Sequence, residues 1–527
     1  MSDTGAPAKK ETAGFNRAAV TLLGVIGGIQ VFDPVVSSVA LVQAGSDLKF
    51  PASTMALAAG ISTLALAATV IPGGLIADRL GRRRVLMGAL VVTAIGELTT
   101  AFGLSISMYL LGRVIAGIAL GVVFGAAYGL LRDVAPADKL GPAMGLFNVM
   151  NLVLTAVVVV IAGILILTSW RLAYLLAPIA CAVCFILIPK ILPNVPKVPG
   201  GKLDILGMVL IGLGVVGLLY GVSNAAQSVT SPSCWGPILF GLIALVVFAA
   251  VESKRTYAVF PIRLLTHPAF LGAVIMGIFW NFANGAASQM LPNVWQYIEG
   301  WGTGRVAVYQ VFIALFAACG AVWGGRLLGR GTPAKNVSGI GYIMMVAGFL
   351  ALAVPGVQAG ILVFIPGMIL AAFGWMSNAT SQGSLFIGLA PKQFFGPVTS
   401  SKVTVGQFGY SLGLSGSTAL ISLLTLNKVS DATNGAVSGD DAWTQITEYL
   451  QKGTTGDSAL AQISRDAIAS MYVSSFRITL VIFAVIIAVA GLAMYRQLGK
   501  AKAAEPVEEF LSKEIAALEV AKPSPAS

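Results

Sequence analysis

Three groups of residues in this chain have types and spacings that could do chemistry, and in all three the chemistry is that of charge. Asp33 stands inside an apolar stretch, Phe32-Asp33-Pro34-Val35-Val36-Ser37-Ser38. A charged, unpaired carboxylate at membrane depth costs roughly 2.5–3.5 kcal/mol on insertion scales. Asp33 must therefore be protonated, paired or in contact with water, and each state suits a proton carrier. The structural alternative puts it at the mouth of a span, paired with a helix end. Arg113 sits in Leu110-Leu111-Gly112-Arg113-Val114-Ile115-Ala116-Gly117. A guanidinium is always charged and needs a partner or water there, and Asp33 is the natural candidate. The third group is Gly73-Gly74-Leu75-Ile76-Ala77-Asp78-Arg79-Leu80-Gly81-Arg82-Arg83-Arg84, where five charges fall within seven residues. An uncharged run from Pro51 to Ala77 ends in it, and another apolar run begins at Val85. Gly73, Gly74 and Gly81 let helix ends approach closely and let the chain turn.

The elements that must hold these groups are membrane-length helices. The 527 residues are 57% hydrophobic and only 10% charged, with a mean hydropathy of +0.86. Soluble domains carry about a quarter charged residues. A span needs about 20 apolar residues. By that measure the chain holds about fourteen, at 17–41, 53–77, 84–104, 107–130, 140–167, 170–192, 204–225, 235–252, 268–297, 304–328, 335–354, 358–385, 397–424 and 472–495. The fold class expected is all-α and integral to the membrane. The net charge of +11 does not point to nucleic acid, because the basic residues sit in short clusters between apolar runs.

Those clusters set orientation. Arg79 to Arg84, Arg132 and Lys139, Lys190, Lys197 and Lys202, Lys254, Arg255 and Arg263, Arg326, Arg330 and Lys335, and Lys392 all fall on one side. The other side offers little beyond Lys49, Arg171 and Arg305. Both termini are therefore expected in the cytoplasm. A polar outer loop is expected over 427–471, with short helical structure in it, and the tail from Lys500 reads as a short amphipathic helix or as disordered. No cleavable signal peptide is evident. Gly324-Gly325-Arg326-Leu327-Leu328-Gly329-Arg330 repeats the Gly73–Arg84 turn without its acidic residue, as in transporters built from repeats.

The Gly73–Arg84 stretch resembles the loop between helices 2 and 3 of the major facilitator superfamily, Gly-x-Leu-Ala-Asp-Arg-x-Gly-Arg-Lys-x-x-Leu. Gly74, Ala77, Asp78, Arg79, Gly81, Arg82, Arg83 and Leu86 hold its positions. Fourteen spans resemble the fourteen-span drug:proton antiporters of that superfamily, and Phe260-Pro261-Ile262-Arg263-Leu264-Leu265 resembles a stretch recurring there. The resemblance implies two six-helix halves, 17–192 and 269–497, joined by a linker, 193–268, carrying two extra helices, with tails at 1–16 and 498–527. It implies that Arg113 serves proton relay, that Asp133 pairs with Arg82, and that the Asp78 carboxylate meets the N-terminus of span thirteen near Gly396-Pro397. Around Asp33 the family pattern is Asp-x-Thr-x-x-Asn-x-Ala-Leu-Pro. Asp33, Ala40 and Leu41 fit it, while Val35, Ser38 and Gln43, at or near the remaining positions, do not. The fifth span also departs. Where antiporters carry Gly-Pro-x-x-Gly-Gly, this chain has Gly145, Phe147, Asn148, Val149, Met150 and Asn151.

Other polar groups within the spans define a candidate cavity. Asn148 and Asn151 share a face of span five. Span nine offers Trp280, Asn281, Asn284 and Gln289; span twelve Trp375, Asn378 and Gln382; span thirteen Gln407 and Tyr410. Uncharged donors, acceptors and rings suit an amphipathic organic ligand. Glu97, in span three, is either a second titrating site or a snorkelling, outer-mouth residue. Gly117, Gly121, Gly125 and Gly129 place a groove on span four for close packing, sliding or static. Gly212-Leu213-Gly214-Val215-Val216-Gly217 matches a dinucleotide fingerprint by letter only; it lies in an apolar span and reads as helix packing. Cys181 and Cys184 read as small buried hydrophobes, and a single histidine, His267, gives no support to a zinc site or a His-based hydrolase. Without a Walker sequence, ATP-driven transport is disfavoured.

The reading is a monomeric, non-enzymatic secondary transporter of a bacterial-type inner membrane. It exports an amphipathic small molecule against protons and uses no cofactor beyond the proton gradient. The alternatives are a symporter or facilitator for another solute, and a non-transporting or lipid-handling membrane protein. Orientation is testable by itself. Single cysteines at Ser46 and Asp440 should react with an impermeant thiol reagent on intact cells, and one at Lys335 only after permeabilisation. Reaction of position 335 on intact cells overturns the orientation.

Overall fold

A computed structural model of the chain describes residues 15–50, 52–195, 203–224, 231–253, 259–356, 361–391, 394–437, 442–453, 460–501, 506–507 and 509–511. Among the described residues there is no strand, and fourteen helices are long and apolar enough to cross a membrane. They are α1 (Arg17–Asp47), α2 (Ala52–Leu80), α3 (Arg82–Ala101), α4 (Ile106–Val134), α5 (Leu140–Ile166), α6 (Trp170–Ile191), α7 (Ile205–Asn224), α8 (Pro232–Glu252), α9 (Pro268–Tyr297), α10 (Thr303–Gly329), α11 (Ala334–Leu352), α12 (Ile361–Leu389), α13 (Phe395–Ala432) and α14 (Arg465–Lys500). In lipid each backbone N–H and C=O must be satisfied within its own segment, which leaves the helix as the form these apolar runs can take. Their outward faces stay apolar, as at Ile164, Val246 and Val489.

One half is built from α1 to α6, with α2 along α4, α3 against α4 and α6, and α1 against α5. The other is built from α9 to α14, with α9 along α13 and α14, and α12 against α10 and α11. The halves meet chiefly along two pairs, α2 with α13 and α5 with α10. The extra helices α7 and α8 form a pair of their own, and α7 leans on α2 and α13. Gly217 and Gly241 bring that pair together: a Cβ on Gly217 would come 2.8 Å from the Gly241 backbone. The apparent dinucleotide fingerprint is thus a packing surface.

The glycine stripe of α4 is packing too, and it lies inside one half. Gly117 abuts Ser62, Gly121 abuts Leu66 and Val70, and Gly125 abuts Val70 and Gly74, all on α2. Both helices of this seam belong to the same half, which favours the static form of the packing.

The outer loop expected over 427–471 is shorter than its polarity suggested. α13 continues to Ala432 and α14 starts at Arg465. A helix needs apolar surface to sit in lipid but none to extend into water. α13 stops where Asn434 and Gly435 take positive φ, 50° and 83°, and the Gly435 N–H donates to Ser430 O at 2.8 Å. Ser464 caps α14 by accepting from the Ala467 N–H at 3.3 Å. Between them a short amphipathic helix, Ala442–Lys452, buries Ile446, Tyr449 and Leu450. Of the tail, Val507 and Leu511 are buried and Phe510 packs edge-on against His267, which is itself buried. Lys197, Lys202, Lys254, Arg255, Lys392, Asp440 and the tail beyond Leu511 lie outside the described residues.

Candidate functional site

Asp33, Arg113 and Glu97 form one buried cluster. The Arg113 guanidinium donates from Nη1 to Asp33 Oδ1 at 2.8 Å and from Nη2 to Asp33 Oδ2 at 2.9 Å. Nη1 also donates to Glu97 Oε1 at 2.9 Å. Ser62 Oγ donates to Asp33 Oδ2 at 3.1 Å, and the guanidinium lies 5.4 Å from the centre of the Tyr174 ring. All three charged residues are at most 3% exposed. Bidentate pairing is the strong form of the contact. The cluster joins α1, α2, α3 and α4. Glu97 Oε2 has no hydrogen-bond partner.

Glu97 reaches the cluster because α3 and α4 touch backbone to backbone. A Cβ on Gly96 would come 2.5 Å from Ala116 N, and one on Gly112 would come 2.7 Å from Gly96 O. Snorkelling is excluded by this burial. The signal for it was present: Gly96-Glu97 and Gly112-Arg113 each set a charge beside a glycine, as a close crossing with facing charges would need.

The charged turn forms a second cluster at one end of the molecule. Arg82 donates from Nε to Asp78 Oδ1 at 2.7 Å and from Nη1 to Asp133 Oδ2 at 2.7 Å. The other Asp78 oxygen accepts from the Gly396 N–H at 2.5 Å, in the first turn of α13. Gly74 makes the approach possible: a Cβ there would come 2.6 Å from Gly396 O. Phe395 carries the Arg82 and Arg132 guanidinium groups over its ring at 4.8 and 5.0 Å, and Arg132 Nη1 donates to Ala390 O at 3.2 Å. Gly81, at φ 104°, makes the turn between α2 and α3. Arg83 ties that turn to α6 through the Leu192 and Pro189 carbonyls. Arg79 Nη1 is buried without a partner. On the second seam a Cβ on Gly141 or Gly145 would come within 3.2 or 3.4 Å of Gly325. At this end the two halves are shut.

The candidate cavity residues divide. Asn148 Nδ2 donates to Thr380 Oγ1 at 3.0 Å, from one half to the other, and Trp280 Nε1 donates to Gln382 Oε1 at 2.9 Å. Asn281 bonds Gly277 O in its own helix and lies against Gly406. Asn284 and Gln407 are half-buried on α9 and α13, and the Tyr410 hydroxyl meets Ser288. Three more make their contacts within one half. Asn151 bonds Phe147 O and lies against Gly27, so it packs α5 on α1. Asn378 bonds Gly374 O and lies against Gly341, so it packs α12 on α11. Gln289 bonds Asn293 at 3.4 Å and lines a small recess with Ser417, Trp443 and Tyr472 beside the amphipathic outer helix, not the space between the halves. In each case a neighbouring helix, invisible in one sequence, decides which face the side chain takes. Trp375 is buried in the apolar core of the second half.

The arrangement of two six-helix halves, two shared seams and one charged turn has counterparts in known proteins. The sequence model of the Major Facilitator Superfamily matches residues 21–414. The chain belongs to that superfamily. Its fold is that of a Major Facilitator Superfamily transporter, as expected. An uncharacterised MFS-type transporter of Mycobacterium tuberculosis is 25% identical over 371 residues, 67% of this chain and 53% of that protein, so the chain spans about half the length of that relative. A multidrug resistance protein B homolog of the same species is 27% identical over 390 residues, 71% of this chain and 70% of that protein. Among solved structures, the proton:xylose symporter XylE superposes with a TM-score of 0.59 at 13% identity, over 91% of this chain and 95% of that one.

The contact from Asp78 to the start of α13 bridges the two halves, so opening this end would break it. A helix N-terminus carries about half a positive charge, and a carboxylate there is stabilised by roughly 0.3–1 kcal/mol when exposed and up to about 2 when partly buried. Asp78→Asn should weaken the shut state by about 1 kcal/mol, roughly a five-fold shift in population. Asp78→Lys should weaken it further, with near-normal expression of both variants. Reagent access to single cysteines at the two ends measures the shift. Unchanged access in Asp78→Lys, with full transport, would leave the turn a topology signal only.

Proposed function

We propose that this transporter exports an amphipathic small molecule across a bacterial-type inner membrane in exchange for protons. It sits with both termini in the cytoplasm and alternates access between two states. The observation that carries the proton half of this reading is the buried cluster of Asp33, Arg113 and Glu97. Arg113 supplies one positive charge, and the two carboxylates supply two negative charges when both are ionised. The cluster is balanced only when the carboxylates together hold one proton, and an unbalanced buried charge is costly. Two interacting carboxylates titrate as a pair, so the proton belongs to the pair. Glu97 makes one bond to the guanidinium where Asp33 makes two, so Glu97 is the natural seat of the proton in the shut state.

Export is supported by the relative named as a multidrug resistance protein homolog. The half-spanning pair Asn148–Thr380 and the Trp280–Gln382 pair supply uncharged polar and aromatic contacts for a solute between the halves. Asp78, Arg82 and Asp133 act as the latch of the state shut at their end. A second reading, symport or facilitated passage of another solute, is favoured by α5, which lacks the Gly-Pro-x-x-Gly-Gly motif of drug antiporters.

The test is transport by purified protein in proteoliposomes under an imposed pH gradient, with a panel of amphipathic organic solutes. Asp33→Asn should insert and fold, since Glu97 remains to balance Arg113. It should lose uphill accumulation and keep exchange down a gradient. Uphill pumping by Asp33→Asn equal to the parent would remove Asp33 from coupling. Accumulation in the direction of the proton flow would favour symport.

A further inference from the structure

Lys402 lies on α13 six residues beyond Gly396, about 9 Å into the molecule from the shut end. Its ammonium stands 5.1 Å from the centre of the Tyr128 ring on α4, in the opposite half. Tyr128 is stacked on Phe124 at 5.2 Å and meets Phe147 edge-on at 5.5 Å, and its hydroxyl donates to Met144 Sδ at 3.5 Å. Gly383 of α12 closes the group: a Cβ there would come 2.5 Å from the Tyr128 hydroxyl. Four helices, two from each half, thus converge on one cation and an aromatic shelf. Lys402 is half-buried, while the rings of Tyr128, Phe124 and Phe147 are buried in this shut state.

This cation differs from the two buried arginines. Arg82 has two carboxylates and Arg113 has two. Among the described residues no carboxylate lies within ion-pair distance of Lys402, and its one contact of cationic character is the ring face. A ring face offers about 0.5–2 kcal/mol, far less than the desolvation of an ammonium. An intramembrane cation at such cost, between the moving halves, has a use when a mobile anion completes it.

We propose that Lys402 recognises the anionic head of the transported molecule, and that the apolar body of that molecule lies against Tyr128 and its stacked neighbours once the halves part and uncover them. The substrate class is then an amphipathic organic anion, with a carboxylate or sulfonate on an aromatic or alkyl body. This rests on the reading of the protein as a carrier of amphipathic solutes and narrows it by charge. A lysine suits the task because it holds an anion as a point charge that can be released, where arginine's fork would grip it in a fixed geometry.

The probes are dansyl-glycine, a carboxylate, and dansyl-glycinamide, its neutral counterpart. Binding is read from dansyl fluorescence on the full chain in lipid nanodiscs, and transport separately in proteoliposomes. The carboxylate should bind the parent at least ten-fold more tightly than the amide. Lys402→Met should bring the carboxylate down to the amide's affinity and leave the amide unchanged, and Lys402→Arg should keep the preference. Retention of the amide's affinity in Lys402→Met shows that the variant is folded. Equal binding of the two probes by the parent, binding of neither, or a preference that survives in Lys402→Met would overturn the proposal. Transport of the amide but not the carboxylate would overturn it too, while leaving the carrier reading intact. Carboxylate preference in binding, with transport of neither probe, would sink the carrier reading instead.

Discussion

Arg113 cannot shed its charge, and the first half of the molecule is arranged around that fact. The guanidinium is 1% exposed at membrane depth, and α1, α2 and α3 all contribute to the group that answers it. Removing the partner of a buried charge typically costs about 3–5 kcal/mol. A single carboxylate facing Arg113 could not take a proton without exposing the protein to that loss. Two carboxylates change the arithmetic. Either can be neutralised while the other keeps the guanidinium paired, so the cluster can change protonation without unfolding its surroundings. A buried ion pair is weak evidence for stability, but a buried ion triad with one surplus negative charge is a site where a proton can be held and released.

The helix that bears Arg113 also bears the far end of the latch. Twenty residues separate Arg113 from Asp133 on α4, about 30 Å of helix, close to the thickness of the hydrocarbon core. Along that length the glycine stripe binds α4 to α2, which itself ends in Asp78. The seam has no room for a side chain: a Cβ on Gly125 would come 2.7 Å from Gly74 N. On the proposed mechanism, then, a protonation event need not be passed along a chain of side chains. It biases a body whose two rigidly joined helices carry the proton site in one region and the latch in another.

Much of this was legible in the sequence, and the boundary of what was legible has a physical cause. Charge announces itself in an apolar run, so Asp33, Arg113 and the turn from Asp78 to Arg84 stood out without knowledge of their partners. The contact of Asp78 with the start of α13 was reached through family resemblance alone, since the two are more than three hundred residues apart in the chain. Helix face was not legible. Asn148 and Asn151 share a face by spacing, yet one reaches Thr380 in the other half and the other packs against Gly27. The outcome depends on which helix lies alongside, and periodicity does not carry that. Glu97 stayed open between two readings for the same reason, because it takes the Gly96–Ala116 approach to face it toward Arg113. Helix length beyond the bilayer was also hidden. Hydropathy marks where lipid ends, and α13 and α14 continue into water as ordinary polar helices.

The two turns that close this end are related by repetition but shut by different forces. The first has Asp78, and it closes by a hydrogen bond that its carboxylate accepts from the Gly396 N–H at the start of α13, with glycine beneath it. The second, at Gly324 to Arg330, has lost its acid, and its seam with α5 rests on glycine at both sides, Gly141 and Gly145 against Gly325. Dispersion between such surfaces falls steeply with separation, and a gap of 0.5–1 Å already forfeits a quarter to a half of it. A screened charge contact fades more gradually. Packing at both seams, Gly74 against Gly396 as well as Gly141 and Gly145 against Gly325, is therefore abrupt, and only the Asp78 contact is gradual. Partial opening would lose the packing before the charge contact is released, which disfavours intermediate positions. On the proposed mechanism, alternation between two states would then depend on where glycine stands as much as on any single charged residue.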